Sequence, residues 1–279
     1  MEKALEHPSF PQPPSESVSL WRYMDINKFE WMLENGRLFI PNADRLGDPL
    51  EGRTPQGYID WCNRNIEKAT TDESKAIHAY NRDVIFKFAQ AFRPRYYVTC
   101  WHMNEHESDE MWKCYTNSNE AVAIKTTYKQ LVDILPDYTY TGIVRYIDYS
   151  TEKFPFGNLF EHITHKDRCF SYEQEVRGVV SPMPEAPENS PPAADFMHFI
   201  EHHFELSSDS GFYVFAPPID CSLLVNAVVL HPDCNEAFQD RINKLCSKHS
   251  RPNPERSHQK PRVRSCFLPN SLARAHSSD

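Results

Sequence analysis

Glycine is scarce in this 279-residue chain, only eight residues, and no GxGxxG or GxxxxGK(S/T) run occurs. Such loops need glycine so that backbone N–H groups can close on phosphates, so the usual helix-dipole cradle for a nucleotide is excluded. There is no GxSxG elbow for a serine hydrolase. The eight cysteines, Cys62, Cys100, Cys114, Cys169, Cys221, Cys234, Cys246 and Cys266, form no CxxC pair or dense cluster, a pattern that fits reduced thiols scattered through a core. The N-terminus has no apolar h-region and no window approaches a membrane span, so the expectation is a cytoplasmic protein without a membrane partner. Positive charge is also in deficit: net charge −9 and a pI near 5.8 argue against wholesale wrapping of nucleic acid.

Aromatic residues, by contrast, make up 13% of the chain and supply strong packing anchors. Three polar, Pro-rich stretches punctuate the sequence. Residues 1–17 read as a disordered Pro/Ser-rich leader, 181–195 as an inserted Pro-rich loop, and 248–261 as a basic Pro-rich loop; 269–279 read as a disordered tail. Between them the expectation is a single domain over residues 18–268.

Helix and strand signals mix without a βαβ rhythm. "DINKFEWMLENG" reads as a short amphipathic helix with Asp25 as N-cap and Gly36 at its stop. "RLFI" reads as a strand, "DESKAIHAYNRDVIFKFAQAF" as a helix, and "YYVTCWH", "EAVAIKT" and "YTGIVRYIDY" as strands rich in β-branched and aromatic residues. "SDEMWKCYT" and "TYKQLVDIL" read as short helices, the second capped by Thr127. "NLFEHITHKDRCF" and "DFMHFIEHHFEL" also have helical character, "SLLVNAVVLHP" is a buried strand, "NEAFQDRINKLCSK" a helix and "RVRSCFL" a closing strand. The fold class is therefore α+β, a mixed, mostly antiparallel sheet with flanking helices.

Ionisable residues on expected strands stand out. As a strand, "SYEQEVRGVV" (171–180) places Glu173, Glu175 and Arg177 on one face, an arrangement that is unfavourable unless the charges are solvated, paired or used. The blander reading is an exposed edge with surface ion pairs. Arg22 lies between Trp21 and Tyr23 in "LWRYM", either stacked on an aromatic neighbour or binding phosphate. Trp101, Trp112 and Tyr115 are core residues or a stacking platform for a base or nicotinamide ring. In "HMNEHESDE", His102 and His106 with the adjacent carboxylates raise a metal-dependent nuclease as one alternative, although His102 falls at a strand end and no metal is expected. Asp48 and Glu51 in "DRLGDPLEG" belong to a turn or line a pocket mouth.

Taken in order, "LWRYMDINKFEWMLENGRLFIPNADRLGDPLEG", "YVTCWHMNEHESDEMWKCYTNSNEAVAIKTT", "VRYIDY", "HKDRCFSYEQEVRGVV", "VVLHP" and "VRSCFL" resemble the microbial domain-of-unknown-function family 2971. The resemblance runs from about Leu20 to Leu268; its most specific marks are the D-P-x-E-G turn, the C-W plus M-W-x-x-Y pair and the E-x-E-x-R strand. The chain is also similar, more weakly, to R-S-E type ADP-ribosyltransferases through Arg22, Thr99 in V-T-C (where that family has S-T-S) and the Glu173/Glu175 pair. That similarity implies a nucleotide-directed enzyme, ADP-ribosyltransferase-like or NAD-cleaving, and the family resemblance implies a role in microbial defence. Glu175 would stabilise the oxocarbenium charge and Glu173 would handle the acceptor. Arg22, Tyr23, Thr99, Trp101, Trp112 and Tyr115 would surround NAD, and a protein or nucleic acid would serve as acceptor. The other alternative is a non-catalytic ligand- or partner-binding module using the same aromatic residues.

Overall fold

The sequence "SLWRYMD" forms the middle strand of the protein, β1 (Ser19–Asp25), because its alternation buries residues on both faces. Leu20 and Met24 enter one apolar cluster, Trp21 and Tyr23 another. The computed structural model describes residues 7–46, 48, 50–155, 158, 160–180, 205–206 and 213–259. Its main sheet has seven strands in the order β11-β10-β3-β1-β2-β7-β4. The members are β2 (Tyr97–Met103), β3 (Ala121–Thr127), β4 (Tyr140–Ile143), β7 (Glu175–Val180), β10 (Ala227–Leu230) and β11 (Glu255–Arg256). Every pairing is antiparallel except β10 with β11, which is parallel. The architecture is α+β with a mixed, mostly antiparallel sheet.

One face of the sheet carries the larger core. Helix α1 (Ile26–Asn35) lays Phe29, Met32 and Leu33 on it and ends at Gly36 in the left-handed region, φ 59°, where a residue without Cβ is unstrained. Also on this core pack α5 (Tyr128–Ile134), started by a Thr127–Gln130 capping box, and α8 (Glu236–Lys248), which contributes Phe238, Ile242 and Cys246. The other face meets α4 (Asp109–Tyr115) through Met111 and Trp112. Helices α2 (Gln56–Lys68) and α3 (Asp72–Phe92) pack on each other. No helix among the described residues is long and apolar enough to cross a membrane.

Several sequence expectations are corrected. Residues 7–17 of the expected disordered leader are part of the fold: Ser9 and Phe10 are buried, and Phe10 stacks on Tyr140 with ring centroids 5.4 Å apart. A Cβ on Gly142 would meet the Phe10 backbone at 2.7 Å, so this glycine makes room for the leader. The "RLFI" segment forms only isolated bridges, at Arg37 and Ile40, rather than a strand. "YTGIVRYIDY" is split into β4 and β5 (Arg145–Ile147), and "NLFEHITHKDRCF" into a one-turn helix α6 (Glu161–Thr164) and β6 (His165–Asp167), which pairs with β5. In "DFMHFIEHHFEL", Glu205–Leu206 is strand β8, paired with β9 (Tyr213–Val214). The stretch "SLLVNAVVLHP" begins as the single turn α7 (Cys221–Leu224) before β10. The Pro-rich loop at 181–195, the closing strand "RVRSCFL", the tail at 269–279 and residues 260–261 of the basic segment lie outside the described residues; residues 248–259 contribute β11.

The acidic loop before α4 has a structural task. Glu107, buried, accepts from Trp112 Nε1 at 2.9 Å, Ser257 Oγ at 2.7 Å and His258 N at 2.5 Å. It thereby ties residues 257–259 to α4. A carboxylate taking three donors is hard to replace, because each donor left behind stays desolvated without a partner. We expect Glu107→Ala to deprotect the amides of 257–259 in hydrogen exchange while the amides of β2 and β7 stay protected. Phe10→Ala should lower the unfolding free energy by about 3–5 kcal/mol, as for other buried Phe truncations, read from urea melts; a change near zero would mean that the leader does not pack.

Candidate active site

Strand β7 opens later than its sequence suggests. Residues Arg168–Glu173 form a 3₁₀ turn and Gln174 sits in the left-handed region, φ 41°, so Glu173 precedes the strand that Glu175 begins. Nor is β7 an edge: it lies between β2 and β4, and all six of its residues are buried. Surface ion pairing therefore does not account for its charges.

The interior cluster is built around Arg177, 1% exposed. Its guanidinium makes a bidentate fork to Glu51 (Nη1–Oε1 2.6 Å, Nη2–Oε2 2.7 Å) and a second to Glu175 (Nε–Oε1 2.8 Å, Nη2–Oε2 3.0 Å), and Nη1 donates to the Ile163 carbonyl at 2.7 Å. Such planar two-point pairing is what a guanidinium offers a carboxylate. Lys166 on β6 bonds the Glu173 carboxylate and lies 3.5 Å from Glu175 Oε2. The other Glu173 oxygen, Oε1, accepts from Tyr115 Oη at 2.8 Å. Cys100 pairs across the ladder with Arg177, and His102 with Glu175. Burial and the neighbouring Glu175 push the Cys100 thiol well up, which keeps it protonated and unsuited to act as a nucleophile.

The cluster holds three carboxylates and two cations, so one negative charge has no counterpart. Glu173 bears the cost of that excess: burial drives its carboxyl above the ordinary value, Lys166 opposing and Glu175 adding to the rise. Glu175 feels burial too, but Arg177 and then Lys166 outweigh it and hold the group down to about 2. Burial works against the Lys166 charge and the carboxylates overcome it, leaving its pKa raised. Burial lowers the pKa of His102 despite its contact with the Glu173 carbonyl at 2.6 Å. A neutral ring donating there from Nδ1 leaves Nε2 as an acceptor, and this atom is buried with no hydrogen-bond partner among the described residues.

The register of the ladders divides the residues expected to form one site. Directly opposed residues of antiparallel strands project to the same face. Trp21 opposes His102 and His102 opposes Glu175, so these side chains share a face with Tyr23; Arg22, Thr99 and Trp101 project to the other. Tyr23, Trp112, Tyr115, Glu173 and Glu175 therefore stand on one side of the sheet and Arg22, Thr99 and Trp101 on the opposite side. A cleft in which Arg22, Thr99 and Glu175 converge, as the R-S-E order implies, is not formed.

On its own face Arg22 donates to Thr99 Oγ1 and to the Phe39 carbonyl, both at 3.2 Å, and lies over the Trp101 ring at 5.6 Å. Trp101 Nε1 donates to the same Thr99 oxygen at 3.0 Å. Thr99 and Trp101 are interior, as is Trp112, whose ring meets Tyr23 edge-on at 4.9 Å. These two tryptophans are core rather than stacking platforms. Tyr115 is the accessible member, 39% exposed, with Tyr172 at 41%.

Glu51, Lys166 and the open nitrogen of His102 were not assigned to the site from sequence. The signal for Glu51 was present: the D-P-x-E-G turn, the C-W and M-W-x-x-Y pair and the E-x-E-x-R strand contribute Glu51, Cys100, Tyr115, Glu173, Glu175 and Arg177 to this one cluster. Lys166 had none beyond lying on a short strand. His106 is exposed in its loop and His102 is buried against Glu173, and no group of three His, Cys, Asp or Glu among the described residues is placed to hold a metal ion.

The two glutamates should affect stability with opposite sign. The ion pairs of Glu175 stabilise the protein above the unfolded carboxylate value, about 4.3, and this contribution is lost as pH falls through about 2. Glu173 is raised, so the stability it contributes in its protonated form is complete below about 4.3 and is lost as pH rises through its folded value. Urea melts should show Glu175→Gln costing about 3–5 kcal/mol at pH 7, as when a buried pair is broken from one side. That penalty should fade toward pH 2. Glu173→Gln should leave stability at pH 7 equal or higher, and an equal loss from both variants would refute the charge count.

No protein-family model matches the chain, and no curated protein or solved structure matches it.

Proposed function

We propose that the protein is a nucleotide-directed enzyme that cleaves a glycosidic bond, NAD being the substrate, and that the reaction takes place at the Glu173 end of the buried cluster. The observation that carries this reading is that two carboxyls joined through Lys166 are driven apart by their surroundings, Glu173 up and Glu175 down to about 2. Such separation is how one site obtains a proton-transfer group and a permanently ionised group. When the bond between the ribose C1′ and nicotinamide breaks, its electron pair leaves with the neutral pyridine and positive charge develops on the ribose. With Glu173 ionised the cluster carries one excess negative charge, which favours that cation in a low-dielectric setting. Water attacks C1′ and loses a proton to the Glu173 carboxylate; a protein or nucleic-acid nucleophile in place of water would make the same chemistry a transfer.

Glu175 takes a different part from the one its place in the E-x-E triplet implies. Both its oxygens are held by Arg177, so it sets the charge of the site without facing the substrate. The opposite-face position of Arg22 removes it from the same site. The reading therefore rests on glycosidic cleavage at Glu173 and not on the R-S-E arrangement as a whole. A second reading, a non-catalytic ligand-binding module, draws on that same closure of Glu175.

Nicotinamide release from NAD, followed by chromatography, separates the two. Wild type should release nicotinamide, and Glu173→Gln should reduce the rate by at least about 100-fold, the lower range for losing a positioned acid–base group, while remaining folded. Absence of release by wild type, with and without added protein or nucleic-acid acceptor, would favour the binding module.

A further inference from the structure

The larger-core side of the sheet carries an open depression of about 370 Å³ lined by Leu33, Gly36, Ile219, Asp220, Cys221, Ser222, His249 and Arg251. It is assembled where three chain ends meet: the C-terminus of α1, the start of α7 and the C-terminus of α8. Its apolar part is Leu33, Ile219 and Cys221. Its size falls at the lower end of small-molecule sites, which combine an apolar lining with a few placed polar groups.

Two of the polar groups stand unmatched. His249 Nε2 is buried and has no hydrogen-bond partner among the described residues. The Arg251 guanidinium donates from Nε to the His249 carbonyl at 2.8 Å, and no carboxylate among the described residues lies within ion-pair distance of it. Asp220 feels the Arg251 charge, behind the stronger hold of Ser222 on its carboxyl, but forms no ion pair with it: Oδ1 accepts from Ser222 N at 2.7 Å and Ser222 Oγ at 2.5 Å, in a local turn that caps α7. The backbone fixes both unmatched groups. Ser250 takes φ 53°, and Arg251 N returns to the Cys246 carbonyl at 2.8 Å, so the chain folds over the end of α8 and brings His249 and Arg251 to the same rim. A buried imidazole nitrogen without a partner is costly, and a guanidinium fork without a carboxylate is the usual receptor for an oxyanion.

We propose that this depression binds a small organic ligand through an oxyanion, a carboxylate or a phosphate. Arg251 Nη1 and Nη2 hold the oxyanion, a turn of the His249 ring brings its buried Nε2 to donate to a ligand oxygen, and Leu33 and Ile219 cover the apolar body. Helices α1 and α8 pack on the face of the sheet opposite the Glu173 cluster, so the ligand is separate from the substrate of the proposed reaction. Occupancy would tie α1 to α8 at their C-termini.

The test is titration of the full-length protein with two series, glycerol phosphate with inorganic phosphate and succinate with acetate, read by calorimetry and by the His249 imidazole resonances in NMR. Saturable binding by either series, with His249 shifting and affinity falling at least tenfold in Arg251→Gln, is the expected result, and the series that binds identifies the oxyanion. His249→Phe, which keeps the ring and removes the nitrogen, should weaken binding as well and serves if Arg251→Gln does not fold. Binding unchanged in both variants, or no saturable binding by any of the four compounds, would overturn the proposal.

Discussion

Burial of one guanidinium organises the centre of this protein. Arg177 projects from a strand with neighbours on both sides, so neither water nor an edge is available to it, and the charge must be matched from inside. Two carboxylates do so in bidentate geometry, Glu51 from the distant turn before α2 and Glu175 from two residues earlier on the same strand β7. The Ile163 carbonyl fixes α6 to the same group. Because removing any one of these partners strands a desolvated charge, the turn, the strand and the one-turn helix have to fold together. The extra carboxylate, Glu173, is then held by Lys166 and Tyr115, which extends the network to β6 and α4.

The alternation of side chains along β1 and β2 is the second constraint. It is local and rigid, and it decides what can share a site. With Trp21, His102 and Glu175 aligned across the two ladders, Arg22 has no route to the carboxylates short of a one-residue slip, which would also exchange Leu20 and Met24 with Trp21 and Tyr23 between two differently shaped cores. The guanidinium of Arg22 instead rests on Trp101 and the hydroxyl of Thr99. The cleavage proposed at Glu173 and the oxyanion site proposed at Arg251 thus fall on different faces of one sheet.

Much of the fold was legible locally. The α1 helix with its glycine stop, the Thr127 cap, the long helix α3 and the strands β2 and β3 follow from periodicity and end signals. The places where local reading failed share a cause. Residues 7–17 have a composition typical of disorder, yet Phe10 enters a pocket of Tyr140 and Phe160, Ser9 bonds Glu161, and Gln12 bonds the Thr141 carbonyl and Tyr128. The segment around Glu173 alternates like a strand, but the left-handed Gln174 interrupts it. Glu51 lies 126 residues from the arginine it pairs with, and no spacing rule spans that interval.

The sequence by itself determined which residues are unusual: three ionisable groups in an apolar strand, a glutamate in a tight turn, an M-W-x-x-Y helix and a buried-looking arginine between aromatics. It also determined the local elements, since 3.6-residue and two-residue periods, caps and turns depend on neighbours in the chain. Only the tertiary structure decided which of those residues meet. Strand order and register placed Glu51, Glu173, Glu175, Arg177, Lys166 and Tyr115 together and put Arg22 on the far side, because facing across a sheet is set by pairing between distant strands. Whether a carboxyl is raised or lowered followed from the same step, for Glu173 and Glu175 are chemically identical and differ only in the cations that packing leaves beside them.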